Sequence, residues 1–186
     1  KVNKLSPRSG TDITLGDSGD TITIASGATL TNSGNLSVDG GTIKLDGNYP
    51  VGTNNVALGD GALDDGSLSG GYNTALGTMA LSSNTTASNN TALGFCSLYT
   101  NTTGIQNTAL GNLAGRNQIT ANQNTFVGYA NGLSTTTGGK NTSVGEQAFY
   151  NNTTGANNVA IGQASLQANT TASSNTAVGR RAMVLN

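Results

Sequence analysis

Between Asn73 and Gly111 the chain reads NTALGTMALSSNTTASNNTALGFCSLYTNTTGIQNTALG, spelling nearly the same phrase three times in 39 residues. Repetition this regular implies a structural unit that cannot bury its apolar face until the next unit stacks on it. Followed outward, the motif Asn-x-x-(Leu/Ile/Val)-Gly starts at Asn55, Asn73, Asn90, Asn107, Asn124, Asn141, Asn158 and Asn175, with a first step of 18 residues and six further steps of 17. Helical solenoids need repeats of about 33 residues or more and good helix formers, not this density of Gly, Asn and Thr. A 17-residue repeat suits one coil of a parallel β-solenoid, with two short strands and two turns. At about 4.8 Å per coil, the stack should form a rod of roughly 38 Å.

Read as columns of a stack, each repeat position has a physical role. The repeated Asn is expected at a turn, where it tolerates a left-handed backbone and can form amide ladders with its copies. The Gly four residues later (Gly59, Gly77, Gly94, Gly111, Gly128, Gly145, Gly162, Gly179) should supply positive φ or room for close backbone approach. The branched aliphatic before it (Leu58, Leu76, Leu93, Leu110, Val127, Val144, Ile161, Val178) is expected to form the internal core.

Three residues after the Gly comes a mostly small column, followed by Leu63, Leu81, Leu98, Gly115, Gly132, Phe149, Leu166 and Met183. That column breaks at Gly115 and Gly132, and Phe126 stands between the breaks in a column that is otherwise mostly Ala. Cores keep a nearly constant density, so Phe126 is expected to fill the space of two missing side chains. The second turn is Asn-Thr-Thr-(Gly/Ala) at Asn84, Asn101, Asn152 and Asn169, with variants at Gln118 and Thr135. These triplets match an N-glycosylation acceptor, but a corner recurring on a fixed period accounts for them without glycans.

Residues 1–50 read differently. Apolar residues alternate in pairs (Ile13 and Leu15, Ile22 and Ile24, Leu36 and Val38, Ile43 and Leu45), separated by Gly, Ser, Asp and Asn turn signals. Strands this short need partners to make a stable sheet. The expected organisation is a β-structured shaft or neck over 1–50 and a β-roll repeat domain over 51–186.

Composition narrows function. Only 9% of residues are charged, the net charge is −1, aromatics are 4%, and there is neither His nor Trp. Neither a catalytic base of the usual kind nor a cofactor or metal site is expected. Calcium-binding rolls put Asp in every repeat, whereas the acids of the repeat region are Asp60, Asp64, Asp65 and Glu146. The first three cluster on the opening repeat, where a solvated cap is the plain reading. Arg116, Lys140, Arg180 and Arg181 balance these acids, so no nucleic-acid partner is expected. No apolar run is long enough to insert in a membrane. Cys96 is the only cysteine and is expected to be a small semi-buried residue. An ice-binding face would need two Thr columns pointing the same way, whereas the two Thr columns of the second turn are adjacent in sequence.

The phrase Gly-x-x-Ala-Leu-x-x-Asn-Thr-Thr-Gly-x-x-Asn-Thr-Ala-Leu-Gly, seen from Gly94 to Gly111 and again from Gly145 to Gly162, resembles repeats of bacteriophage tail fibres and tailspikes that precede an endosialidase-type intramolecular chaperone. Asn158-Val-Ala-Ile-Gly162 is similar to the head repeat of trimeric autotransporter adhesins, a parallel β-roll built as a trimer. The resemblance covers 55–186 and implies a homotrimer on the virion tail, attached to other tail or baseplate proteins and facing a host cell-surface glycan or protein. It also implies a chaperone beyond Asn186, with Asn186 at or near its processing site.

Variation between otherwise similar repeats then becomes the functional signal. The column after the first Gly contains Phe95 and Tyr129, and the column four further on contains Tyr99, Arg116 and Tyr150. Exposed aromatics and Arg suit glycan or protein recognition, so these five are the expected receptor contacts. The rival functions are a fibre-borne polysaccharide depolymerase and a bacterial trimeric adhesin head.

Overall fold

The computed structural model describes residues 52–185. The expected shaft strands of 1–50 and the processing position Asn186 lie outside the described residues. Each repeat contributes one three-residue strand: β1 (Val56–Leu58), β2 (Thr74–Leu76), β3 (Thr91–Leu93), β4 (Thr108–Leu110), β5 (Thr125–Val127), β6 (Thr142–Val144), β7 (Val159–Ile161) and β8 (Thr176–Val178). They form one parallel sheet in chain order. Register follows the repeat, so that Thr91, Ala92 and Leu93 pair with Thr108, Ala109 and Leu110. The described residues are thus an all-β parallel β-solenoid without a helix.

The second strand expected in each coil is replaced by stacked turns. Leu81 N–H donates to Ser97 O at 3.0 Å and Thr85 N–H to Thr102 O at 3.1 Å, one coil on in each case. Regular pleating fails there because the Leu column is left-handed: φ is +50° at Leu81, +48° at Leu98 and +47° at Leu166. Bulky residues rarely adopt this region. Here the inter-coil bonds on either side, and burial of the Leu side chains inside the coil, offset the strain.

Two columns behave as their residue types require. Along the repeated Asn, Asn90 offers both its backbone N–H (3.0 Å) and its Nδ2 (3.2 Å) to Oδ1 of Asn73, and Nδ2 also donates to Gly104 O at 2.9 Å. The same pattern recurs at Asn107, Asn141 and Asn158. Each of these amides is about 1% exposed, so the ladder satisfies groups that would otherwise be orphaned inside the coil. The left-handed residue of this corner is the one before the Asn, such as Asn89 (φ +60°) or Gln106 (φ +60°), and not the Asn itself. Along the Gly column, φ lies between +120° and +137°, and a Cβ on Gly111 would sit 2.4 Å from Gly128 O. Only Gly satisfies both constraints.

The aliphatic before that Gly is a correction. It was expected in the core, yet Leu58 is 51% exposed, Leu76 42% and Leu93 40%, while the middle strand residue is inside. Strand side chains alternate, and the Asn ladder points inward, so the order from each Asn is in, out, in, out. The small residue two after the Asn therefore faces the core, and the Thr and the aliphatic face outward together.

The core is filled by the Ala of the strands, the left-handed Leu column and the second-turn amides. Asn84, Asn101, Asn152 and Asn169 are fully buried, which leaves no room for a glycan. In the first coil, Leu68 is the residue buried in the second turn. Phe126 is 0% exposed, and its ring occupies the space that Cβ atoms on Gly115 and Gly132 would enter at 2.9 Å and 2.6 Å. Nearby, Ser143 Oγ and Thr135 Oγ1 are buried without hydrogen-bond partners among the described residues.

Candidate functional site

Two surfaces of the coil stack present side chains that the core does not use. The first is the outer face of the sheet. Its strands end in Leu, Val or Ile, each two residues after a Thr or Val, and parallel register sets like on like at about 4.8 Å. The aliphatic members form a continuous stripe along all eight rungs, from Leu58 at one end to Val178 at the other, where exposure reaches 66%. Nothing in the sequence pattern alone singled out this stripe as surface; the parity set by the inward Asn is the signal that locates it.

The second surface lies beyond the Gly column. Phe95 and Tyr129 are each 49% exposed and share one column, with the Asn112 rung between them. Tyr99, Arg116 and Tyr150 are half-buried and share the other, with Leu133 between Arg116 and Tyr150. Of the five expected contacts the structure brings two together: the Arg116 guanidinium carbon lies 5.4 Å above the Tyr99 ring centroid. Arg116 Nη1 also donates to Asn117 Oδ1 at 3.2 Å. Thr100 N–H and Oγ1 both reach Arg116 O, at 3.1 and 3.0 Å, which ties the Arg116 backbone to the Tyr99 coil.

Further along the Phe95 column the chemistry is polar. Arg180 Nε donates to Gln163 Oε1 at 2.9 Å, and Gln163 Nε2 donates to Glu146 Oε2 at 3.1 Å. At the opposite end, Asp65 braces its own turn by accepting from Ser67 Oγ and, at 2.8 Å, from Ser67 N–H. These two donors hold its carboxyl below the usual carboxylate range.

Among the described residues no group of three or more His, Cys, Asp or Glu could hold a metal ion, and no helix is long and apolar enough to cross a membrane. Cys96 is buried and unpaired among the described residues. On the second turn, the inner Thr column is committed to the backbone: Thr85 Oγ1 donates to Thr102 O at 3.0 Å and Thr153 Oγ1 to Thr170 O at 3.0 Å. The outer column, from Thr86 to Thr171, stays exposed. No family model matches the chain, and neither a curated protein nor a solved structure is significantly similar to it.

Proposed function

We propose that this chain is a structural and host-recognition segment of a homotrimeric phage tail fibre, binding a bacterial surface receptor, with a glycan as the favoured class. The observation that carries the reading is the aliphatic stripe on the outer sheet face. Contiguous apolar surface along the full length of a stack is rarely left to water, and a straight repeating stripe is best covered by a straight repeating partner. Another copy of the same chain offers matching rungs at the same spacing, and closed rotational symmetry lets each copy present the same stripe. The short alternating segments of 1–50, read as a shaft, would gain their missing partners in the same assembly. Such a fibre belongs on the virion tail, joined to other tail or baseplate proteins, with the variable Phe95 and Tyr99 columns turned toward the host.

The rival depolymerase requires two carboxyl groups across a cleft, one of them protonated. Against it, the acids Asp60, Asp64 and Asp65 sit together on the first coil, and the other acid of the described residues, Glu146, stands five coils away. Labelled protein applied to a panel of bacterial strains is expected to bind some of them saturably. Binding should be competed by extracted surface polysaccharide, whose chain length should stay unchanged after incubation. Absence of binding to every strain would contradict the recognition role, and shortened chains would favour the depolymerase.

A further inference from the structure

Resting on that host-recognition reading, we propose that Tyr99 and Arg116 form a binding subsite for a carboxylated sugar of the host surface polysaccharide. The repeat places the two residues on successive rungs of one column, and the stacking distance of 5.4 Å fixes the guanidinium over the phenol ring. Both side chains are half-buried, so their electrostatics are less screened than those of a fully solvated pair. The supporting backbone is rigid, because Thr100 bonds Arg116 O through both its N–H and its hydroxyl.

What distinguishes Arg116 is unspent donor capacity. A guanidinium carries five N–H donors, and the side-chain acceptor it meets is Asn117 Oδ1. The acids of the described residues are Asp60, Asp64 and Asp65 on the first coil and Glu146 on the sixth, and none of them pairs with Arg116. Arg180, by contrast, is linked through Gln163 to Glu146. A planar cation held over an aromatic ring at 5.4 Å, with N–H donors beyond the one that Asn117 takes, suits the bidentate geometry of a carboxylate.

Tyr99 contributes an amphipathic surface, its ring suited to the C–H face of a pyranose and its hydroxyl to a ring substituent. Phe95, four residues earlier and 49% exposed, extends apolar surface on the same coil. The subsite offers a single positive charge, which matches the monoanion of a uronic or sialic acid better than a phosphate monoester dianion.

Calorimetric titration of the whole chain with tetramers of galacturonic, mannuronic and sialic acid tests the assignment. At least one should bind saturably, with affinity falling between about 50 and 500 mM salt. Its methyl ester should bind about tenfold more weakly, as should the acid tetramer to Arg116→Gln. Tyr99→Ala should weaken binding while Tyr99→Phe retains most of it, and Arg116→Gln and Tyr99→Phe should melt like the parent because neither empties the half-buried site. Equal affinity for acid and ester, parental affinity in Arg116→Gln, or no binding of any acid tetramer would overturn the proposal. If Arg116→Gln still binds cells like the parent, the subsite is wrong and the host-recognition role stands. If the parent protein itself binds no cells, that role fails independently.

Discussion

Asn90→Ala is expected to destabilise the folded chain by roughly 4 kcal/mol, at about 1 kcal/mol for each lost bond with more for an orphaned donor. Four hydrogen bonds disappear: from Nδ2 to Asn73 Oδ1 and Gly104 O, and into Oδ1 from the backbone N–H and the side chain of Asn107. Gly104 O keeps a second donor in Asn101 Nδ2, and Asn73 Oδ1 keeps the backbone N–H of residue 90. The Asn107 N–H has no such reserve and would be left buried and unpaired. Asn90→Asp keeps size and acceptor but removes both donors and buries a charge, so at neutral pH it should cost at least as much. Urea unfolding followed by circular dichroism measures both. A change below about 1 kcal/mol in Asn90→Ala would mean that the ladder is incidental to stability.

The second large effect is expected at Phe126. Phe126→Ala should cost about 3–5 kcal/mol per chain, the range for emptying a buried aromatic site. The structure adds a rescue. Gly115 and Gly132 have φ of +58° and +61°, close to the +47° to +50° of the buried Leu residues in the same column. Their backbone therefore already accepts the column's usual side chain. Combining Phe126→Ala with Gly115→Leu and Gly132→Leu should restore most of the loss, whereas Gly132→Leu alone would drive a side chain into the ring, since even a Cβ there lies 2.6 Å from Phe126. Thermal melts of these variants decide the matter. A Phe126→Ala protein that melts like the parent would refute volume compensation.

What the sequence made legible follows from where single residue types have few alternatives. A Gly at fixed spacing signalled a backbone that Cβ forbids, and the structure realises that signal at φ near +130° with the next coil in contact. A buried amide column at strand spacing has one economical solution, the ladder seen from Asn55 to Asn107 and again from Asn124 to Asn175, the Asn124 amide turning to Gln118 Oε1 instead. The pairing of Phe126 with two glycines was readable because volume is conserved even when position is not. The aliphatic column was misread for the opposite reason. Leu, Val and Ile fit a core or a subunit contact equally well, and only the inward Asn, three residues before Leu76 or Leu93, settles which way they point. The left-handed Leu column was invisible, because no propensity places Leu81 or Leu98 at positive φ and only stacking imposes it. At the candidate site, column membership predicted that Tyr99 and Arg116 stand on adjacent rungs. Their stacking, and the exposed stripe on the sheet, required side-chain directions that spacing does not carry.

Covering that stripe is the claim on which the fibre reading rests, and the assembled mass tests it most directly. Light scattering on the purified chain at micromolar concentration should give about three times the 18.5 kDa of one chain. Exchange of Leu76, Leu93 and Leu110 for Asp should dissociate the assembly, because three buried charges per chain would have to be desolvated together. A folded monomer of 18.5 kDa in the parent protein would contradict the account.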